Sequence, residues 1–430
     1  FKGISQLIPG EYAIWDMQKG LRKYKYYSLS RDIGNNKSDI VEVAHMTREL
    51  LVHSAKIHMR SDVPVGVSLS GGLDSSVLLA CLNLSGDINK HLKCVSLEYA
   101  DSLSESMWIE AAASHHGLKS TLETFTSEEF LNSIKPLMWH LEAPIGGLPN
   151  CALARLMARA SKLGMKVIQD GTGLNEAFAG YRNHHNLFLG SMIKKNDPAT
   201  KKMISEYAEN WGVTEDVAET SALNEMKNSI TAIDGTIPVR TDLLSPDFRK
   251  KFSGVVSRKV STGSRLYDSL IDYLQARKIP RNTRMKDRVS MAYSIELRLP
   301  FLDHNLVEYA LSLPEHFHFL YGRTKSVVRE AMKGSMDEKV RIAPKRSIQA
   351  PQGEWLRTEP MAGYVKSIIY SQSFADRGFY DLTRVHNAFK EFCEGKCNNS
   401  FFVWQWINVE EWFRTFIDND STKATCPLYN

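Results

Sequence analysis

The chain has 430 residues, of which 43% are hydrophobic and 24% charged, with a formal net charge of +5. This is the composition of a globular protein with a large core and more residues than one compact core usually holds. So small a charge without a long basic run speaks against a nucleic-acid partner, and no apolar stretch approaches the roughly 20 residues of a membrane-spanning helix. Six cysteines at 81, 94, 151, 393, 397 and 426 are scattered. That suits a reducing compartment and a cytoplasmic setting. Cys393 and Cys397, spaced C-x₃-C without a second ligand pair nearby, read as ordinary thiols.

Taken in order, Tyr12–Asp16 and Leu21–Tyr27 are strand-like and joined by a turn containing Gly20. Such a hairpin is barely stable alone, so it is expected to pack on the main body or on another domain. Residues 38–60 carry helical periodicity through Ile40, Val43, Met46, Leu50 and Leu51. Val65–Leu69 is a short apolar run, read as a buried parallel strand. A turn of small residues, Ser70–Ser76, follows, and a helix is expected from Ser75, capped by a serine and backed by Val77, Leu78 and Leu79. A strand feeding a helix through a glycine turn aims backbone N–H groups at one point, and the helix dipole adds partial positive charge there. Gly71 and Gly72 allow a ligand close to the backbone. Asp74 is out of place in an anion cradle unless a cation such as Mg²⁺ sits between it and phosphates. The turn lacks the usual phosphate-loop lysine and does not match G-x-G-x-x-G, so on these features a plain strand–turn–helix corner remains open.

Further strands are expected at Leu92–Tyr99, Ser120–Thr126 and Met165–Ile168, with helices at Glu105–His116, Glu128–Leu141 and Ala152–Leu163. The pair His115-His116 at a helix end reads as solvated. Strands and helices alternating at these spacings imply parallel β-α-β units. Ligands in such sheets bind at the carboxyl ends of the strands, where the loops after Leu69 and after Ile168 both lie. Residues 190–270 lack a clean period and read as helices and loops. The run 284–303 is basic and polar and by itself suggests a solvated helix and turn. In Phe401–Ile417, Trp404, Trp406, Trp412, Phe413 and Phe416 recur at helical spacing, the pattern of a core helix.

Several of these stretches resemble one family. Ser70-Gly71-Gly72-Leu73-Asp74-Ser75-Ser76 resembles the pyrophosphate loop of the ATP pyrophosphatases, which split ATP between its α- and β-phosphates. Asp170–Tyr181 aligns without a gap to S-G-E-G-x-D-E-x-F-x-G-Y, Gly322–Glu330 to G-x-x-K-x-x-L-R-E, and Arg284–Asp303 to K-x-D-R-x-S-M-A … E-x-R-x-P-F-L-D. Together they are similar to the synthetase domain of the asparagine synthetase family over residues 38–420, leaving 421–430 as a tail. Residues 1–37 resemble the last strands of that family's N-terminal glutaminase domain. The family's glutaminase nucleophile is an N-terminal cysteine. This chain starts at Phe1 and its first cysteine is Cys81, so glutamine hydrolysis is not expected of it.

The resemblance implies an α/β fold: a parallel-sheet, Rossmann-like ATP pyrophosphatase domain (adenine nucleotide α-hydrolase-like) with a helical C-terminal region. It implies ATP and Mg²⁺ as cofactors. Leu69, Ser70, Gly71, Gly72, Leu73, Ser75, Ser76, Gly171 and Gly173 would surround the nucleotide, and Val95, Ser96 and Leu97 would lie beside adenine. Lys325 would face the departing pyrophosphate, where an ammonium in a dry site is worth several kcal/mol. Asp74 and the residue at 175 would hold Mg²⁺. Two departures stand out. The family's acid/base glutamate is Thr172 here, and its metal-binding aspartate is Asn175. Threonine is no base near neutral pH, and a neutral amide is a weaker Mg²⁺ ligand. Asp170, where the family often has serine, is a candidate to compensate. Arg288, Glu296, Arg298 and Asp303 are expected to form buried ion pairs around the cleft. Glu142-Ala143-Pro144 resembles a family turn, Ser104-Glu105-Ser106 resembles its D-E-S, and Pro344–Pro351 resembles a loop bordering the site.

The implied activity is an ATP-dependent amide-forming ligase that adenylates a carboxylate, aspartate by default. Its implied partners are that small acid and ammonia, supplied from glutamine by a glutaminase domain not present here, with a homodimer possible. The family also contains enzymes that amidate or cyclise other carboxylates: surface-polysaccharide uronic acids, β-lactam precursors and lasso peptides. A catalytically degenerate nucleotide-binding member is the reading from a different class.

Overall fold

The computed structural model describes residues 3–29, 39–88, 92–100, 105–227, 240–251, 261–345, 351–397 and 399–418. The tail at 421–430, Ser104, Cys426 and Arg346–Ala350 lie outside them.

The first two strands, β1 (Glu11–Asp16) and β2 (Gly20–Lys25), form the expected antiparallel hairpin. Its apolar side chains Ile14, Trp15 and Leu21 are exposed, and just beyond it the Tyr27 hydroxyl donates to Glu308 at 2.8 Å. Helix α1 (Ile40–Ile57) is capped by Asp39, whose carboxylate accepts from two first-turn amides. It leads into β3 (Val65–Ser68), α2 (Leu73–Leu84), β4 (Cys94–Tyr99), α3 (Ser106–Ser114), β5 (Ser120–Phe125), α4 (Ser127–Leu141), α5 (Leu148–Lys162) and β6 (Val167–Gln169). The alternation of strands and helices is that of a parallel α/β protein, as expected.

A fifth strand, β7 (Glu296–Arg298), joins the sheet in the order β5-β4-β3-β6-β7, with every pairing parallel. This corrects the helix-and-turn reading of 284–303. The segment divides into a helix, Ile279–Met291, and a strand too short to show period-2 alternation. The expected buried ion pairs there are also corrected. Arg288 meets Glu142 at 2.8 Å with both side chains more than a third exposed, and Glu296, paired with Arg298 at 2.7 Å, is exposed. Arg298 instead donates to the carbonyls of His58 and Arg60, and Asp303 caps the helix that follows it.

Alternating strand residues feed two cores. Val67 and Cys94 face a core with α1 and α2, and Val95 and Ile168 face one with α4 and α5. The sheet is thus buried on both faces, and its apolar strands follow from that. The chain starts the sheet at central β3, builds outward through β4 and β5, then returns to the other side for β6 and β7. The strand order therefore reverses between β3 and β6, and the crevice at their carboxyl ends is where ligands bind in open α/β sheets. Among the described residues no helix is long and apolar enough to cross a membrane.

The second core is closed by the C-terminal helix Phe401–Phe416, where Phe402, Trp404 and Trp406 are buried. Trp412 and Phe416 pack at its edge, with Phe416 stacked on Trp139. Trp406→Ala should therefore cost about 3–5 kcal/mol, read as a lower urea midpoint in equilibrium unfolding; a surface aromatic would shift it by less than about 0.5 kcal/mol.

Candidate active site

The loop after β3 enters α2 at Leu73, two residues earlier than expected. Gly72 is the N-cap and no side chain caps the helix. The serines bond within the loop instead. Ser75 and Ser76 hydroxyls donate to the Gly72 carbonyl at 3.3 and 2.8 Å, and the Ser70 amide donates to the Ser75 hydroxyl at 3.1 Å. A serine inside a first helical turn satisfies its hydroxyl on a preceding carbonyl, which leaves the cap position bare. Ser75 and Ser76 are buried beneath the loop. Ser70, Gly72, Leu73 and Asp74 face a cavity of about 320 Å³.

The loop after β6 meets this corner closely. A Cβ on Gly171 would lie 2.9 Å from the Asp74 carbonyl carbon, so only glycine lets the two loops touch. A short helix, α6 (Leu174–Ala177), follows and places Asn175 in the same cavity. Lys325 arrives from the far side of the sequence. It caps the Ser326–Ala331 helix in the left-handed region at φ 56, a conformation that costs a non-glycine residue about 1 kcal/mol or more. Its stem passes over Gly180, where a Cβ would meet Lys325 Cε at 2.2 Å.

These pieces form a chain of contacts. The Lys325 ammonium sits on Asp74 Oδ1. Asn175 Nδ2 donates to Asp74 Oδ2 at 2.8 Å, and Asn175 Oδ1 accepts from Lys345 Nζ at 3.1 Å. Lys345 also donates to the Gly180 carbonyl at 2.7 Å and lies 4.3 Å from the centre of the Tyr181 ring. Burial lowers the pKa of Lys325 although Asp74 opposes the shift. Burial, with Lys325 nearby, brings Lys345 down to about 7. Burial and the neighbouring Glu176, which accepts the Tyr181 hydroxyl at 2.6 Å, keep Tyr181 a phenol. Arg329, also on the cavity wall, is lowered to about 10 by burial.

A second cavity of about 350 Å³ shares Ser70 with the first and is lined by Leu69, Leu97 and Lys286. Of the three β4 residues expected beside adenine, Leu97 reaches this wall. Val95 is in the core, and the Ser96 hydroxyl donates to the Leu69 carbonyl at 2.5 Å. Asp170, at the end of β6, is bound to its surroundings. Its Oδ1 accepts from the Thr172 amide at 2.9 Å, from the Thr172 hydroxyl, and from Lys286 Nζ at 2.8 Å. Burial works against its charge, but Lys286 and Thr172 outweigh this and hold the carboxyl below its ordinary range. Gly173 sits apart, against Leu302.

The structure thus brings together Ser70, Gly72, Leu73, Asp74, Asn175 and Lys325, and places Asp170 and Thr172 beside the second cavity's Lys286. Sequence reasoning missed Lys345, Lys286 and Arg329 as site residues. Lys345 stood in a loop already read as bordering the site, which was the available signal. Lys286 had no signal beyond its charge. For Mg²⁺, Asp74 offers one carboxylate at a helix N-terminus, enough for an ion that brings phosphate oxygens and water with it. Asn175 is the weaker second ligand: it is a neutral amide, and its oxygen, like Asp74 Oδ1, is already on an ammonium. Among the described residues no group of three or more His, Cys, Asp or Glu is placed to hold a metal.

The family model for asparagine synthase matches residues 46–414. The chain belongs to the asparagine synthase family. It is 25% identical to asparagine synthetase [glutamine-hydrolyzing] 1 of Bacillus subtilis over 85% of this chain and 59% of that protein. It is 24% identical to the amidase chyE of Penicillium rubens over 90% of this chain and 64% of that protein. It is 30% identical to the putative asparagine synthetase [glutamine-hydrolyzing] 2 of Methanocaldococcus jannaschii over 45% of this chain and 37% of that protein. The match thus spans less than two thirds of these relatives. Within the asparagine synthase fold, the loops after β3 and β6 form the crevice just described.

Replacing Asp170 with asparagine leaves Lys286 without its counter-ion and should destabilise the protein by about 2–4 kcal/mol at pH 7. The folded-state pKa of Asp170 is depressed, so its contribution is full above the ordinary value of 3.8 and is lost as pH falls through the folded value. Urea unfolding of wild type and Asp170→Asn should therefore converge below pH 3.8 and differ most near neutrality.

Proposed function

We propose that this chain is the ligase part of an ATP-dependent amidating enzyme. The observation that carries the proposal is the buried Lys325 ammonium set on Asp74 at the mouth of the Ser70–Ser76 loop, at the point where the sheet order reverses. A carboxylate is a poor acyl donor because its leaving group would be oxide. An oxygen of the carboxylate attacks the α-phosphorus of ATP, the bond from that phosphorus to the bridging oxygen breaks, and pyrophosphate leaves. Ammonia or an amine then attacks the acyl carbon, loses a proton and expels AMP. The loop amides, Lys325 and Arg329 bind and neutralise the departing charge, which is the protein's main task in such transfers. Mg²⁺ brought with ATP and held on Asp74 would withdraw charge from the same phosphates.

In this proposal adenine takes the Leu97 side of Ser70, the outer phosphates lie at Lys325, and the acid meets the α-phosphate between them. Aspartate is the default substrate. The similarity to an amidase, together with Thr172 in place of the family's glutamate, favours testing other carboxylates as well. Residues 38–420 act as one synthetase unit, and ammonia comes from a glutaminase.

The experiment supplies ATP, Mg²⁺ and ammonia with aspartate and with a panel of other carboxylic acids, and measures AMP and pyrophosphate. Stoichiometric AMP with at least one acid is the expected result. Nucleotide binding without either product from any acid would establish the degenerate, non-turnover reading that Thr172 and Asn175 motivate. Lys325→Met should lower turnover by about 10²–10³-fold, the effect of removing one charge-stabilising donor, as measured by pyrophosphate release at saturating ATP.

A further inference from the structure

Lys325 stands at one end of a short helix whose other end is held from α1. Six residues, Ser326–Ala331, make fewer than two turns and rise about 9 Å. A helix so short does not keep its shape by its own hydrogen bonds. At its start, the Ser326 hydroxyl donates to the Arg323 carbonyl at 2.7 Å and Arg329 Nε donates to the Thr324 carbonyl at 3.0 Å. These bonds stay within one segment. They fix its internal shape, not its place against the sheet. At the other end, the last carbonyls of a helix lack partners within it. Arg48, from the middle of α1, donates Nε to the Ala331 carbonyl and Nη2 to the Lys333 carbonyl at 3.1 Å. One planar guanidinium thus closes the helix terminus, with its charge at the negative end of the dipole. Val43 and Leu51 of α1 share one core with Val327, Val328 and Ala331. Helix α1 leads into β3, and β3 into the loop that carries Asp74. Arg48 therefore ties the helix that bears Lys325 to the element that presents Asp74. No side chain caps the helix at the Lys325 end, so a slip of the helix along α1 moves the root of the lysine side chain.

We propose that Arg48 is a positioning residue for Lys325: by capping the far end of the Ser326–Ala331 helix it sets where the Lys325 ammonium stands relative to Asp74 and to the outer phosphates of a nucleotide. The part that concerns phosphates rests on the reading of Lys325 given above. Arg48 acts through the helix and not on the ligand. It lines a different cavity, with Ile40, Val41 and His45, and is not among the residues that face the Ser70–Lys325 cavity. A displacement of about 1 Å in a charge that must meet a phosphate is enough to weaken its action well beyond the loss of the two capping bonds.

The test is a double-mutant cycle of Arg48→Met and Lys325→Met on the full chain, read as calorimetric affinity for inorganic pyrophosphate in Mg²⁺. A second measurement is the rate at which trinitrobenzenesulfonate labels the Lys325 amine, located by mass spectrometry. Arg48→Met is expected to weaken pyrophosphate binding about 3- to 10-fold in the wild-type background and less than about twofold in the Lys325→Met background, because residues that act through one another are not additive. Labelling of Lys325 should rise at least about threefold, while that of Lys286, on the other side of Ser70, stays unchanged. Arg48→Lys should lie closer to wild type in both measurements. Arg48→Gln, which keeps one donor, is read against the same thresholds should Arg48→Met fail to fold. A loss of affinity equally large with and without Lys325 overturns the proposal, since a general loss of structure would give that result. So does a folded Arg48 variant whose Lys325 is labelled at the wild-type rate. Both outcomes leave the ligase reading standing. A wild type that binds no pyrophosphate, with Lys325 labelling that responds as expected, overturns the ligase reading and upholds the positioning of Lys325 by Arg48.

Discussion

The contact between Lys325 and Asp74 joins loops 251 residues apart in the chain. A buried ammonium on a carboxylate is a weak source of stability, since desolvation offsets most of the Coulomb attraction. The pair is held here at a further cost, because Lys325 takes a left-handed backbone conformation that its side chain disfavours. Strain at one residue persists only when its surroundings over-determine it. Gly180 clears the path for the lysine stem, and the helix beginning at Ser326 fixes its origin. For the ligase proposed above, the arrangement would be pre-organisation: the charge is in place before a ligand arrives, and the ligand would take over the ammonium's contacts.

The two sides of Ser70 differ in how they are charged. On the Lys325 side, cations predominate and their pKa values are pushed down by burial. That is the environment an anion of high charge would relieve. On the other side, Asp170 is ionised and accepts three donors at one oxygen. A carboxylate stabilised in this way is a poor proton acceptor, because its basicity falls with each bond it accepts. In the ligase proposed here, Asp170 is thus a weaker candidate for the base at Thr172 than its position alone suggests. It holds Lys286 and the Thr172 turn in position, and Lys286 is the group that reaches the cavity wall. The change from glutamate to threonine thus comes with a carboxylate and a lysine locked together.

The amino-acid order by itself determined the alternation of strands and helices, the glycine corner after β3, the aromatic C-terminal helix and the family. Each is a local pattern: apolar runs of strand length, glycines in a turn, aromatic residues at helical spacing. It also singled out Asp74, Asn175, Thr172 and Lys325, because they stand in ungapped motifs. What only the tertiary structure decided were partnerships between distant segments. The charged triplet Glu296–Arg298 becomes an edge strand only because β6 offers it a ladder. Asn175 turns its oxygen to Lys345 rather than outward because Asp74 claims its amide nitrogen. Arg288 and Glu296 remain at the surface, since a motif records which residues recur and not which face of the chain they occupy. Local sequence sets backbone preference over a few residues. The direction of a hydrogen bond between side chains far apart in the chain depends on donors and acceptors that folding alone brings to about 3 Å.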